Sequence, residues 1–357
     1  MTFKKELLEI PDALRQILEE GRPLYDSLIR RVSWGEKPIY ILGNGPSYAA
    51  ALSGAWAFQS LLGVPAIVDR PEAFIAYGSR ALAVHSLVLM IGGSDDCEST
   101  LAAAQRARSR GAVVWAITAN PGGELAALAD ATLNNYAGED KSDGSRSVFC
   151  RHAVMLFLAV AAAQVLKAPT ALLKAQQEEL EKLPAHVEWV LNQIPDAARA
   201  LAKEIRILPQ LSITGGGAFH PIALHSAERM RQSAAIAAQG SGLLDFQQSS
   251  PRIAPPSSGV LYLSSSRCKL KEQVYLSIHQ ERKEGNHRIF AITDGNDHKL
   301  SERADLAVLL PVLTEAGGAL VTLAFLELVA GFAAQASPPA VVQKPRSGRQ
   351  QKSTSET

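Results

Sequence analysis

The sequence predicts an α/β protein built from two tandem units, each a parallel sheet covered by helices on both faces. Three observations carry that expectation. The strand-like segments are short continuous apolar runs, not alternating ones, which is how strands buried on both faces read. They alternate with helical stretches, the pattern of βαβ crossovers. The cycle occurs twice: an apolar run meets a glycine turn at Gly43-Asn-Gly45 and again at Gly215-Gly-Gly217, as an internal duplication would. A chain of 357 residues with 47% apolar composition is also long enough for two packed cores.

Along the chain, Leu7, Leu8, Ile10, Leu14, Ile17 and Leu18 stand at three- and four-residue spacings, so residues 1–31 read as a helical lead-in with Pro11 opening a new helix. The first unit is expected over 32–167. Pro38–Ser47 is a strand running into a loop, Tyr48–Leu62 an Ala-rich helix, and Ala66–Val68, Ser86–Ile91 and Ala112–Thr118 further strands. Helical stretches Val148–Leu166 and Ala168–Leu183 close the unit, the latter within a linker at 168–200. The second unit, 201–335, begins with a strand running into glycines over Leu211–Gly217 and has further strands at Gly259–Ser264, Arg288–Thr293 and Ala307–Leu310, with a helix over Pro221–Ala238. Residues 336–357 turn to Pro, Gln, Ser, Lys and Arg and read as a tail.

Composition excludes several classes. Thirty-six basic against 35 acidic residues leave a net charge of +1, without the basic field that nucleic-acid binding needs. Cys97, Cys150 and Cys268 lack CxxC or metal-ligand spacing, so neither a disulfide framework nor a metal site is expected. The charged segment Met1–Glu9 lacks the apolar stretch of a signal peptide, and no uninterrupted apolar run reaches membrane-spanning length. The expected address is the cytoplasm, away from membranes.

In parallel α/β sheets, ligands sit beyond the carboxyl ends of the strands, where helix N-termini present free amides. After the first strand stand Asn44, Gly45 and Ser47. After the strand ending at Ile91 stand Gly92, Gly93, Ser94, Asp95 and Asp96, then Ser99 and Thr100. Glycines allow close backbone approach and hydroxyls donate to phosphate oxygens, so the pair of loops reads as a phosphate cradle. Each hydroxyl alone also suits a helix cap. The turn lacks the third glycine of a dinucleotide fingerprint, and no P-loop GKS or GKT occurs, which counts against nicotinamide and nucleoside triphosphates.

These loops, in this order, resemble those of sugar isomerase (SIS) domains in the isomerase part of glucosamine-6-phosphate synthase. Phe3–Leu14, Gly43–Ser47, Gly92–Thr100 and Ala137–Phe149 are similar to that family's lead-in, CGTS loop, SQSGETADT loop and AGTE…STK segment. Gly215–Leu224 resembles its GRGxxYPIALE, and Lys344–Thr354 its terminal QPRNLAKSVT with two residues added. The resemblance implies two tandem SIS domains with flavodoxin-like sheets, and no metal or organic cofactor. No glutaminase domain is expected ahead of the chain. The implied ligand is a hexose or hexosamine phosphate, held at Ser47, Ser94, Cys97 and Thr100 with Ser145 nearby, to which the loop chemistry adds Asn44, Gly45 and Ser99. Arg146, beside the family's lysine position, stands either to return a cation to the site or as a solvated charge. The resemblance also implies a homodimer, and the Ala-rich helices Tyr48–Leu62 and Val154–Val165 offer small-residue faces for it.

The catalytic positions depart from the family. Gln232 and Gln248 stand where it has its proton-transferring base and its ring-opening histidine, and an amide does not titrate near neutrality. Candidates to substitute are Glu228, one helical turn before Gln232, His225, and Lys352 in the tail. Two functions follow. One is an enzyme, a phosphosugar aldose-ketose isomerase or an amino-sugar-phosphate deaminase or deglycase. The other is a sugar-phosphate sensor that has lost catalysis. A third, an inert scaffold, requires the hydroxyls to be caps only.

Overall fold

The computed structural model describes residues 2–93, 97–138, 144–168, 173–253, 255–284 and 287–335. Ser94 and the tail with Lys352, both expected at the site, lie outside them. The lead-in forms α1 (Thr2–Leu8), α2 (Ile10–Gln16, with Pro11 in its first turn), a π-helical turn and α3 (Arg22–Ile29). The first sheet follows as β1 (Ile39–Gly43), α4 (Pro46–Leu62), β2 (Ala66–Asp69), α5 (Pro71–Ala76), β3 (Leu87–Ile91), α6 (Glu98–Ser109), β4 (Val113–Thr118), α7 (Glu124–Leu128) and β5 (Ala131–Asn134). The long helices α8 (Ser145–Val165) and α9 (Leu173–Gln193), then α10 (Pro195–Arg206), lead to the second sheet. It comprises β6 (Leu211–Gly215), α11 (Phe219–Ala234), β7 (Ala238–Gly242), α12 (Leu243–Ile253), β8 (Gly259–Leu263), α13 (Lys271–Glu284), β9 (Arg288–Asp294), α14 (His298–Ser301) and β10 (Leu306–Leu310), closed by α15 (Glu315–Gln335).

All strand pairs are parallel, and the two sheets have one topology: β2-β1-β3-β4-β5 and, read the same way, β7-β6-β8-β9-β10. Central strands β1, β3, β6 and β8 are buried along their whole length, which explains why they read as continuous apolar runs. The duplication extends to the loops. A Cβ on Gly43 would stand 2.7 Å from the Ser47 carbonyl, and one on Gly215 would stand 2.8 Å from Phe219 Cβ. Each first strand therefore ends in a glycine because the helix four residues on crosses its tip. Gly45 and Gly217 both have positive φ, +51° and +58°, the left-handed region that glycine enters at least cost.

One core runs through both units, with smaller clusters on the outer face of each sheet. At its centre lie α8 and α15, 21 residues each, one closing each sheet. Both are long and apolar enough to cross a membrane, but 89% of each span is buried inside the protein, so their apolarity is that of core helices. The small-residue faces of α4 and α8 are spent inside the chain. Ala50, Ala51 and Ala57 are fully buried, and a Cβ on Gly54 would stand 2.1 Å from Met155 Cε, so these faces are not a surface waiting for a second subunit. The lead-in packs on the second unit as well: Phe3 meets the edge of Phe332 at 5.8 Å.

Candidate functional site

The loop after β1 is shaped by its glycines and by Pro46, which occupies the first turn of α4 and removes an N–H that would have no helical partner. Ser47 N–H donates to the Asn44 carbonyl at 2.9 Å, closing a tight turn over the strand end. The loop after β3 leads into α6, whose N-cap Cys97 makes no side-chain cap bond to the backbone. Instead Cys97 Sγ lies 2.9 Å from Thr100 Oγ1 and 3.3 Å from Ser99 Oγ. Asn44 Nδ2 donates to Ser99 Oγ at 3.2 Å, tying the two loops together. The N-termini of α4 and α6, each a source of free amides and positive dipole, therefore meet beside one set of hydroxyls. Partial burial pushes the Cys97 thiol up, but hydrogen bonds from Ser99, Thr100 and Asn44 outweigh it, and the net shift is downward. A set of donors that favours a thiolate also suits another small anion.

Beneath this cradle lies a buried polar network that sequence reasoning missed. Arg151 on α8, 1% exposed, donates to Ser47 Oγ at 3.1 Å and to Ser147 Oγ at 3.0 Å. Its neighbour His152 bonds Ser53 Oγ on α4 through Nδ1 at 2.8 Å and meets the ring of His225 edge-on, 5.8 Å away. Across the boundary between the units, Glu327 of α15 accepts from His225 Nε2 at 2.6 Å, Arg229 Nε at 3.1 Å and Ser145 Oγ at 2.5 Å. Arg229 Nη2 also donates to Ser145 Oγ at 2.9 Å. Burial raises the Glu327 carboxyl, but these donors dominate and hold it at about 2. Burial, together with His225 and Arg151, holds His152 well below the usual imidazole range against the opposing pull of Glu327. The available signal was the presence of Arg151, His152 and Glu327 inside otherwise apolar helices, because charged residues are buried only with partners.

The second unit has the same loop geometry with different chemistry. Phe219 stands in the place of Ser47. The Glu315 carboxylate accepts from the backbone N–H of Ala218 after β6 and of Lys269 after β8, both at 3.2 Å. A Cβ on Gly217 would come 2.0 Å from Glu315 Oε1. The chain's own carboxylate thus bridges the two loops where the first unit offers hydroxyls.

The sequence-derived residues fall into two groups. Asn44, Gly45, Ser47, Cys97, Ser99 and Thr100 converge at the tips of β1 and β3. Ser145 and His225 are instead drawn into the buried network. Arg146 pairs with Glu9 of the lead-in and packs on Gly138, both away from the cradle. Glu228 is half-buried and accepts from Gln232 Nε2 at 2.9 Å, one turn along α11. His225 on the same helix is 3% exposed, so the two candidate bases do not share an environment.

Residues 34–164 match the family model described as SIS domain. This chain carries a SIS domain. The second sheet, with identical strand order, is a SIS-like unit. Among curated proteins the chain is 26% identical over 328 residues to glutamine–fructose-6-phosphate aminotransferase (isomerizing) of Thermococcus kodakarensis, covering 91% of this chain and 54% of that protein. It is 27% identical over 250 residues to the protein of the same name from Escherichia coli, covering 66% of this chain and 40% of that one. The chain spans about half the length of the curated relatives it matches. Among solved structures, the C-terminal domain of glucosamine-fructose-6-phosphate aminotransferase from Francisella tularensis superposes with a TM-score of 0.82 at 16% identity, covering 94% of this chain and 96% of that one. Glucosamine-6-phosphate deaminase from Thermotoga maritima gives 0.71 at 14% identity, covering 94% of each. At these identities the structural likenesses establish the fold of the double-SIS arrangement.

Proposed function

We propose that this SIS-domain chain binds a hexose or hexosamine phosphate, with the phosphate in the first unit between the loop of Asn44–Ser47 and the loop ending at Thr100. The observation that carries the reading is the Asn44–Ser99 hydrogen bond, which holds the N-termini of α4 and α6 over one cluster of hydroxyls. The relatives' names, all concerned with fructose 6-phosphate, point to the same ligand class. The ligand's charge and the absence of a large basic field fit a small, locally held anion. A cytoplasmic address fits such a metabolite. A closed homodimer belongs to this reading as the commonest assembly, although the small-residue faces first expected to build it are used inside the chain. Sedimentation at micromolar concentration giving a dimer supports that part, and a monomer removes it.

Binding, not isomerisation, is the activity supported. His225 is committed to Glu327, Gln232 and Gln248 hold no titratable proton, and Glu228 is left as the residual base. A missing positioned acid-base group costs on the order of 100- to 10,000-fold in rate. Aldose-ketose proton exchange with fructose 6-phosphate in deuterated water is therefore expected to be absent or very slow. Any residue of it should vanish in Glu228→Gln, whereas brisk exchange surviving that change would restore the isomerase with a different base. Ligand binding itself is tested by thermal denaturation against a panel of hexose and hexosamine 6-phosphates and their unphosphorylated sugars. A ligand that binds only the folded state raises its apparent stability, so a rise with the phosphates and none with the parent sugars is expected. No rise across the panel would leave the scaffold reading.

A further inference from the structure

The proposed ligand leaves open how a cradle of hydroxyls and amides would prefer a dianion, since its described loop residues include no lysine or arginine and Glu98 adds a carboxylate to the first turn of α6. The structure supplies a cation from behind. We infer that Arg151 is the positioning residue that makes the first cradle selective for a dianionic phosphate, acting through Ser47. This inference rests on the sugar-phosphate reading of that site.

A guanidinium has donors only, so in its bonds to Ser47 and Ser147 both hydroxyl oxygens accept. Ser47 must then direct its own hydroxyl hydrogen elsewhere. It sits in the first turn of α4 under the Asn44–Gly45 turn, beside the loop that carries the Ser99 and Thr100 hydroxyls, and that hydrogen is assigned to an anion bound there. The same bonds pin the two-pronged guanidinium between the first turns of α4 and α8. The guanidinium is thereby fixed in the buried interior, where the polarisation it exerts on the Ser47 hydroxyl through that bond is screened far less than at the surface.

The duplication supplies an internal control. Arg151 is the seventh residue of α8, and the seventh residue of the equivalent helix α15 is Val321, fully buried. Ser147, third in α8, corresponds to Gly317, and Ser47 to Phe219. The unit without the buried cation also has no hydroxyl to orient, and its loops are bridged by the chain's own Glu315. Buried cation and hydroxyl-lined loops occur together in one unit and are missing together in the other.

The test is calorimetric titration of fructose 6-phosphate and of fructose into the full chain, Arg151→Met and Arg151→Lys, between pH 5 and 8. The second phosphate proton leaves near pH 6, so wild-type affinity should rise with pH through that value. Arg151→Met should weaken fructose 6-phosphate binding about tenfold or more, the scale of a lost charge-assisted contact, and flatten its pH dependence. Whatever weak affinity fructose shows should be unchanged. Arg151→Lys keeps the charge but not the two-pronged geometry, so it should lose affinity severalfold and keep the pH dependence. If Arg151→Met does not fold, the Lys variant and Ser47→Ala, expected to lose affinity to a similar degree, carry the test. Wild-type-like affinity and pH profile in folded Arg151→Met, or undiminished affinity in both Arg151→Lys and Ser47→Ala, would overturn this inference alone. A wild-type chain that binds neither this nor other sugar phosphates would overturn the reading on which it stands.

Discussion

Of the three cysteines, Cys97 alone combines exposure with a lowered thiol, because Ser99, Thr100 and Asn44 surround it with donors. Burial pushes Cys150 and Cys268 to about 12, so alkylation at neutral pH should label Cys97 and leave the other two. Bound sugar phosphate should slow that labelling at least severalfold, and mass spectrometry reads it directly; unprotected labelling at saturating ligand would move the site off these loops. Glu327 answers to different chemistry. Removing one member of a buried charge set typically costs about 3–5 kcal/mol, so Glu327→Ala should destabilise the chain by that order in urea titrations. Its carboxyl is lowered in the folded state, so its contribution is present above the ordinary carboxylate range and fades as pH falls from there toward 2. His152, also lowered, is neutral when folded and takes a proton when unfolded below about 6.5. Stability should therefore fall with acid from about pH 6.5, by about 1.4 kcal/mol per pH unit for that one proton, and His152→Gln should flatten that part of the profile.

At the scale of elements, the strands legible in the sequence were those in which β-branched and aliphatic residues run without interruption, the buried central strands and also the edge strands β2 and β10. β5 and β7 were not legible. β7 is Ala-Gln-Gly-Ser-Gly, a sheet edge half open to solvent, and its composition is set by the helix above it, not by strand propensity. A Cβ on Gly240 would stand 2.5 Å from the Ala223 carbonyl and 2.6 Å from Leu224 Cα, both backbone atoms of α11. Gly240→Ala must push α11 outward, and overpacking of this kind costs typically about 1–3 kcal/mol. Because α11 carries His225 and Arg229, the variant should also loosen the contact between units, seen as faster amide exchange in α11 and α15 than in β1 and β3; equal exchange in all four elements would mean that the helix had absorbed the methyl locally. The candidate loops were legible from their glycines and hydroxyls. The roles of Ser145 and His225 were not, because sequence order gives no sign that α15 inserts a carboxylate between them.

For the whole molecule, one core spans both units, and the polar network of Glu327, His225, Arg229 and Ser145 crosses the boundary between them. The tandem repeat therefore has one topology and two chemistries: hydroxyls over a buried cation in the first unit, and a carboxylate bridging the loops in the second. The central claim is that only the first cradle takes a sugar phosphate. Its most direct test is the stoichiometry of fructose 6-phosphate binding by calorimetry on the full chain. The account predicts one site per chain, lost in the double variant Ser47→Ala with Thr100→Val and retained in Glu315→Gln. Two equivalent sites per chain, or a single site that survives the double variant with unchanged affinity, would contradict it.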